Sequence, residues 1–172
     1  MDMDMELHDL RHLQAVEGWL GLDDIQSAAE ELAAVSPEVR EHPAVLTAQC
    51  QIYVHSKQWD EAAELAKRLT ALLPEEPAAW IWLAYATRRR NGGGVRDAKE
   101  ILVLAQPMFL EHYMFPFNLA CYCAQLGEFD DAEQWLRQAS AINKKAVRKL
   151  AADDADLKPL WEHLGGTIWK EE

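Results

Sequence analysis

Pairs of histidine and cysteine are the residues whose types and spacing could support metal or thiol chemistry. His8 and His12 stand four residues apart, which would place both imidazoles on one helix face, where they could bind Zn²⁺. No third ligand accompanies them, so we favour a solvated pair near the chain terminus. Cys121 and Cys123 are two residues apart, and residues at this spacing do not face each other on a helix. We therefore expect core thiols, and we predict no metal site and no cofactor.

Motifs for catalysis are missing from the sequence. It contains no Gly-x-Ser-x-Gly and no His-Glu-x-x-His. The run Gly92-Gly93-Gly94 lacks the Lys-Ser/Thr pair of a phosphate-binding loop, and we interpret it as a flexible turn. The many carboxylates fall at predicted helix starts and on solvated faces, where helix stabilisation explains them. We predict that the protein is not an enzyme.

Composition narrows the class of protein and the kind of partner. The 172 residues are 49% apolar and 27% charged, which is typical of one globular domain with a packed core. A net charge of −12 and a pI near 4.9 argue against nucleic acid and anionic membranes as partners. Three cysteines and an acidic, non-apolar start suit a reduced compartment and no secretory signal, so we expect a cytoplasmic protein.

The residues that could bind a partner must be positioned by helices, because the sequence repeats with a helical period. Pro43 and Pro77 each begin a helical pattern, and they are 34 residues apart. Ala62, Ala98 and Ala132 hold equivalent places in later helices, at intervals of 36 and 34 residues. The two additional residues of the longer interval match the glycine run in a turn. Insertions confined to turns indicate stacked helix–turn–helix repeats.

The period divides the chain into helix pairs, each with a first helix (A) and a second helix (B). We predict an all-α fold, with about four repeats followed by capping helices, as a single domain over residues 1–172. The last hydrophobic face of such a stack needs a cover, which explains the cap. The approximate boundaries are 6–42, 43–76, 77–112 and 113–146 for the repeats, 147–164 for the cap and 165–172 for the tail.

The turn sequences resemble those of a known family. The fourth repeat carries Leu119-Ala120 and then Gly127-Glu128-Phe129-Asp130-Asp131-Ala132 across the turn. The second carries Trp59-Asp60-Glu61-Ala62 and a closing Pro74, with Lys57 where glycine is usual. This pattern resembles the tetratricopeptide repeat (TPR) family, in the form found in bacterial TPR-containing proteins. The resemblance covers the four repeats and is more specific for fold than for function.

The resemblance implies a right-handed superhelical solenoid whose A helices line a concave, peptide-binding groove. The groove-facing places would include Ala44, Thr47, Gln51, Val54 and His55 in the second repeat, and Trp82 would lie at the groove's edge. From this similarity we predict a peptide-binding groove that contains Gln51, His55, Ile81, Trp82, Tyr85, Arg88, Arg89, Phe117 and Cys121.

The predicted function is that of a non-catalytic adaptor or scaffold that binds a peptide of a partner protein. Arg88 and Arg89 would pair with acidic groups of that peptide. A competing interpretation is that Ile81, Trp82 and Phe117 pack against neighbouring helices or the chain's own tail. Two functional alternatives remain open: a dedicated chaperone similar to those of type III secretion, and a structural subunit that self-associates.

Overall fold

The computed structural model describes residues 5–169, and within them the secondary structure is entirely helical. Consecutive helices pack as antiparallel pairs, which confirms the predicted all-α fold. Among these helices, none combines the length and the apolarity that crossing a bilayer requires. The helices are α1 (Leu7–Gly21), α2 (Ile25–Ala33), α3 (Pro43–His55), α4 (Trp59–Leu72), α5 (Pro77–Thr87), α6 (Val95–Ala105), α7 (Met114–Leu126), α8 (Phe129–Asp153) and α9 (Lys158–Leu164).

Helix starts are stabilised by local side chains in two ways. At α2 the Asp24 carboxylate accepts hydrogen bonds from the Ser27 N–H at 3.0 Å and from the Ser27 hydroxyl at 2.8 Å. At α4 and α8 the acids of the first turn, Asp60-Glu61 and Asp130-Asp131, follow N-cap residues that make no side-chain cap. Carboxylates in a first turn also stabilise a helix start through the helix dipole. The predicted acidic helix starts use both mechanisms.

The turns between paired helices share one backbone conformation. Asp23, Lys57, Gly92 and Gly127 all have positive φ, at 59°, 59°, 72° and 76° respectively. Glycine adopts this left-handed region without the Cβ clash that other residues suffer. Each of the four turns therefore contains a residue with positive φ, although two of these residues are not glycine and the turn at Gly92 is one residue longer before the next helix begins.

The glycine run before α6 was predicted to be a flexible turn. In the structure its backbone also lies close to the end of α5. A Cβ atom built on Gly93 would lie 2.0 Å from the carbonyl oxygen of Thr87. The Gly93 N–H also donates to the carbonyl of Arg90 at 3.2 Å. Only glycine fits this position without a shift of the backbone.

The chain forms two compact units, and unit 1 comprises Met1–Ala86. In unit 1, α1 packs against α2 and α3, and α3 packs against α4. Alanines 62 and 63 are fully buried, which lets α4 approach its neighbours closely. The first core cluster contains Val16, Leu20, Ala28, Leu32, Val35, Val39, Val45, Ala48 and Ile52.

Unit 1 also buries a carboxylate, Asp9 on α1. Its Oδ1 accepts a hydrogen bond from the Ser36 N–H at 2.9 Å, and the residue is 1% exposed. This hydrogen bond lowers the pKa of the carboxyl group below its usual value. Asp9 thus joins the start of α1 to the turn that follows α2.

Unit 2 comprises Thr87–Glu172, and α7 lies at its centre. This helix packs against α6, α8, α9 and the short 3-10 turn Ala155–Leu157. Nine of the thirteen residues of α7 are buried, so little of its surface remains open to a partner. The long helix α8 is broken at Asn143 (φ −149°, ψ 80°), whose Oδ1 caps the second half through the Ala146 N–H at 3.0 Å.

Candidate functional site

The A helices of unit 1 form a groove on their common face, which we call the N-terminal groove. It consists of two adjoining cavities of about 300 Å³ and 270 Å³. Glu17 on α1 and Gln51 on α3 line both cavities and therefore lie where they meet. The complete lining is Leu13, Glu17, Leu20, Gly21, Ala44, Thr47, Ala48, Gln51, Val54, His55, Leu73 and Trp82.

Helical periodicity explains why these residues share a surface. On α1 the lining positions 13, 17, 20 and 21 recur at intervals of three and four, which places them on one helix face. On α3 the lining positions 44, 47, 48, 51, 54 and 55 follow the same rule. The neighbouring Val16 is fully buried in the core. Leu20 belongs to the same core cluster and also lines the groove, so the groove runs along the edge of the core-facing side of α1.

The groove combines apolar walls with a few polar groups. Leu13, Leu20 and Val54 supply aliphatic surface, and Trp82 adds an indole that also packs against the cluster around Cys50. This packing holds the indole in place, as a binding anchor requires. The polar groups are the Glu17 carboxylate, the Thr47 hydroxyl, the Gln51 amide and the His55 imidazole. Such a lining can hold an extended peptide through apolar contacts and hydrogen bonds.

Of the nine residues predicted from the sequence, Gln51, His55 and Trp82 come together in this groove. Ile81 and Tyr85 lie on α5 but do not line either cavity. Tyr85 is 38% exposed, and its ring stands edge to face with that of Trp59, with centroids 5.7 Å apart. Ile81 and Tyr85 therefore do not contribute to the N-terminal groove.

Arg88 is occupied by the chain's own acidic turn. Its guanidinium forms a bidentate ion pair with the Asp156 carboxylate, and the Nη2–Oδ1 distance is 2.8 Å. The Gln125 amide donates to the Asp156 carbonyl at 3.2 Å, and the guanidinium also lies 5.6 Å from the centre of the Tyr122 ring. The pair raises the pKa of Arg88 and lowers that of Asp156. Arg89 is half-buried, and its charge contributes to the lowered pKa of Asp156.

Phe117 and Cys121 are buried on α7, which contradicts their predicted role as contact residues. They are 3% and 2% exposed, on a helix that packs against α6, α8, α9 and the turn Ala155–Leu157. The Cys121 thiol donates to the Asp154 carboxylate at 3.6 Å, and burial raises its pKa well above the usual value. A partner cannot reach either side chain in this packing arrangement.

One group of three side chains in the described part of the chain carries potential metal ligands. Ligand atoms of Cys123, Glu128 and Asp131 lie within 4.8 Å of one another. However, the Lys99 ammonium pairs with Glu128, and burial raises the pKa of the Cys123 thiol to about 11. A cation would have to displace this lysine and drive a proton from the thiol, so the cluster suits an ion pair better than a metal.

The histidine pair of α1 is engaged in local contacts. The two rings stand edge to face with centroids 4.5 Å apart, and the His12 Nδ1 lies 2.6 Å from the Glu31 carboxylate of α2. His12 thus links the first two helices.

Trp169, the last described residue of the tail, packs on its own unit. The Trp169 indole N–H donates to the Ser140 hydroxyl at 3.1 Å, and its ring lies 6.0 Å from that of Trp161. The Arg148 guanidinium lies 5.9 Å from the centre of the same indole. Trp169 therefore covers α8.

A second apolar surface lies on α6 in unit 2. Val103 and Leu104 on α6 are 47% and 70% exposed, and they border a cavity of about 500 Å³. Arg96 and Glu100 line the same cavity. This surface belongs to a B helix and lies outside the predicted groove.

Sequence reasoning missed the contribution of α1 to the groove. From the sequence no residue of α1 was assigned to the groove, although Leu13, Glu17 and Leu20 line it. The available signal was the spacing of residues 13, 17, 20 and 21, which is that of a helix face. The weak repeat pattern in this first segment hid the equivalence of α1 with α3.

Comparison with solved structures finds similar helix arrangements across more than 90% of this chain. TTC0263, a thermophilic TPR protein of Thermus thermophilus, is 20% identical with a TM-score of 0.74, covering 91% of this chain and 83% of that one. TPR-like repeats of a Podosopora anserina protein are 23% identical with a TM-score of 0.66, covering 94% and 90%. MamA from MSR-1 is 17% identical with a TM-score of 0.63, covering 93% and 88%.

At these identities the similarity concerns the fold, and it confirms the resemblance to tetratricopeptide-repeat proteins. No protein-family model and no curated protein matches the sequence.

Proposed function

We propose that this protein is a non-catalytic interaction module that binds a peptide segment of another protein in the N-terminal groove. The observation that carries the proposal is the convergence of the faces of α1 and α3, with Trp82 of α5, on two cavities that share Glu17 and Gln51. Stacked helix pairs commonly use such faces for binding, and the fold is that of repeat proteins. The anchored indole of Trp82 beside open aliphatic surface is typical of a binding site.

The proposed site contains different residues from the site predicted from the sequence. Phe117 and Cys121 are inaccessible, and Arg88 pairs with Asp156, so unit 2 supplies fewer contacts than expected. Gln51, His55 and Trp82 remain in the proposed site, and α1 supplies its second wall.

Gly21 offers a direct way to block the groove. It lines the cavity, and a Cβ atom added there would meet no atom within 4 Å. We expect Gly21→Leu to fill the cavity without disturbing the backbone, and therefore to reduce partner binding at least about tenfold, a loss of about 1.4 kcal/mol. Gly18→Leu is the matched control, because Gly18 lies on the same helix with equal space but outside the lining.

The measurement is quantitative affinity capture from native lysate with wild type, Gly18→Leu, Gly21→Leu and Gln51→Arg. Circular dichroism melting first establishes that all four are folded. A protein retained by wild type and Gly18→Leu, and lost by the other two, supports the proposal. The same set of captured proteins for all four would overturn it. A concentration-dependent mass that Gly21→Leu abolishes would instead identify the self-associating alternative.

A further inference from the structure

The negative charge of this protein is concentrated in its N-terminal half. Residues 1–86 contain 16 Asp and Glu against 5 Lys and Arg, for a net charge of −11. Residues 87–172 contain 13 against 12, for a net charge of −1. The groove therefore lies in the half that carries nearly all of the excess charge. A strong field of one sign favours a partner of the opposite sign.

The charge of the groove lining is also negative. Glu17 is its single carboxylate, and no Lys or Arg is among the lining residues. Within residues 5–169, no Lys or Arg forms an ion pair with Glu17. Glu17 lies where the two cavities meet, so a ligand that fills both must pass its carboxylate. A cationic group of the ligand would gain an ion pair at this point.

Apolar walls on both sides define the flanking contacts. Leu13 lines one cavity, and Leu20, Val54 and Trp82 line the other, so apolar side chains on either side of the cation would be buried. From Leu13 to Gly21 the helix rises about 12 Å, at roughly 1.5 Å per residue. An extended peptide covers that distance with about four residues.

We propose that the N-terminal groove binds a segment of about four extended residues with one Lys or Arg, which faces Glu17 between apolar neighbours. This inference rests on the proposed function and specifies its partner. The inferred peptide is cationic, whereas Arg88 and Arg89 had suggested an acidic one. Arg88 is not available to an acidic peptide because it already pairs with Asp156 of its own chain.

A peptide series that varies only the central side chain tests the sign of the partner. The probes are fluorescent octapeptides with randomised apolar residues around a central Arg, Lys, citrulline or Glu, first screened on an array. The best sequences are then measured in solution by fluorescence anisotropy. Citrulline has nearly the shape of arginine without its charge. We expect the Arg peptide to bind about fivefold or more tightly than its citrulline partner at low salt.

Two variants with the same change of charge locate the effect. Glu17→Gln should reduce the Arg-to-citrulline ratio to about one, because the facing carboxylate is gone. Glu38→Gln removes an equal charge from an exposed turn outside the lining, and it should leave the ratio nearly unchanged.

The outcomes separate this inference from the proposed function. If peptides bind equally well whatever their central residue, or if Glu is preferred, the inference is wrong. Should that binding still be lost in Gly21→Leu, the groove stands as a peptide site of different specificity. If no peptide binds and the capture experiment shows no difference between variants, both proposals fail. An unchanged Arg-to-citrulline ratio in Glu17→Gln would also overturn the inference.

Discussion

Arg88 forms the predicted kind of ion pair, but its partner belongs to its own chain. The sequence suggested that it would pair with a carboxylate of a bound peptide. It does pair with a carboxylate, but with that of Asp156, 68 residues later in the same chain. The side chains of both residues are largely shielded, at 16% and 26% exposure, so the pair is stronger than one in open water.

This ion pair leads to a prediction about stability and pH. Asp156→Asn should lower the free energy of unfolding by about 1–2 kcal/mol at pH 7, because it removes a charge-assisted bidentate contact. Arg88 holds the pKa of Asp156 below the ordinary value of 3.8. The stabilisation is therefore complete above pH 3.8, and it is lost as the pH falls through the lowered value. Urea denaturation of both proteins from pH 7 to pH 3 should show the difference shrinking at the acid end.

Glu133 provides the control for that experiment. Its carboxylate pairs with Arg137 one helical turn away on an exposed face, where such pairs contribute about 0.3–0.5 kcal/mol. Glu133→Gln should therefore have a much smaller effect. An Asp156→Asn variant no less stable than Glu133→Gln would show that the Arg88 contact does not stabilise unit 2.

At the scale of secondary-structure elements, the four turns between paired helices show which positions are constrained by the backbone. Gly127 and Lys57 both have φ in the left-handed region. Glycine adopts this region without strain, whereas the Cβ atom of lysine makes it unfavourable. A non-glycine residue in this region costs about 1–2 kcal/mol. The turn forms nevertheless, because the packing of α3 against α4 determines where the chain must reverse.

Lys57→Gly should therefore stabilise the protein. We expect an increase of about 0.5–1 kcal/mol in the free energy of unfolding, since part of the gain is offset by the greater freedom of glycine in the unfolded chain. Gly127→Ala is the reverse substitution, and its added Cβ would meet no atom within 4 Å, so only backbone strain is introduced. It should destabilise by a similar amount. Thermal and urea unfolding measure both, and a destabilised Lys57→Gly would contradict this account.

At the scale of the whole molecule, the uneven charge should affect how fast a partner binds. The net charge of −11 in residues 1–86 attracts cations over distances that salt shortens. The screening length falls from about 30 Å at 0.01 M salt to about 10 Å at 0.1 M. A cationic partner should therefore be steered to unit 1 at low salt.

We expect the association rate constant of the Arg peptide to fall about tenfold between 0.01 M and 0.5 M salt, whereas dissociation changes less. Stopped-flow fluorescence measures both rates, and the citrulline peptide is the control because it lacks the steered charge. Equal salt dependence for the two peptides would show that the field of unit 1 does not act on the ligand.

The sequence by itself determined the local structure of this protein. Helices were predicted from the spacing of Pro43 and Pro77, the recurring alanines and the carboxylates at helix starts, and the structure confirms them. These features are local, because a helix depends on side chains three and four residues apart and on its own first turn. The resemblance to the repeat family, and not helix periodicity, placed Gln51 and His55 in a groove, and both residues line the N-terminal groove.

Only the tertiary structure decided which surfaces stay open. Phe117 and Cys121 are buried on α7. The acidic turn at residues 154–156 accepts a hydrogen bond from the Cys121 thiol and pairs with Arg88. Helical periodicity describes each helix separately, and it carries no information about which distant segment packs on a given face. The open groove beside α1 and the occupied face of α7 therefore differ through long-range packing and not through their repeat pattern.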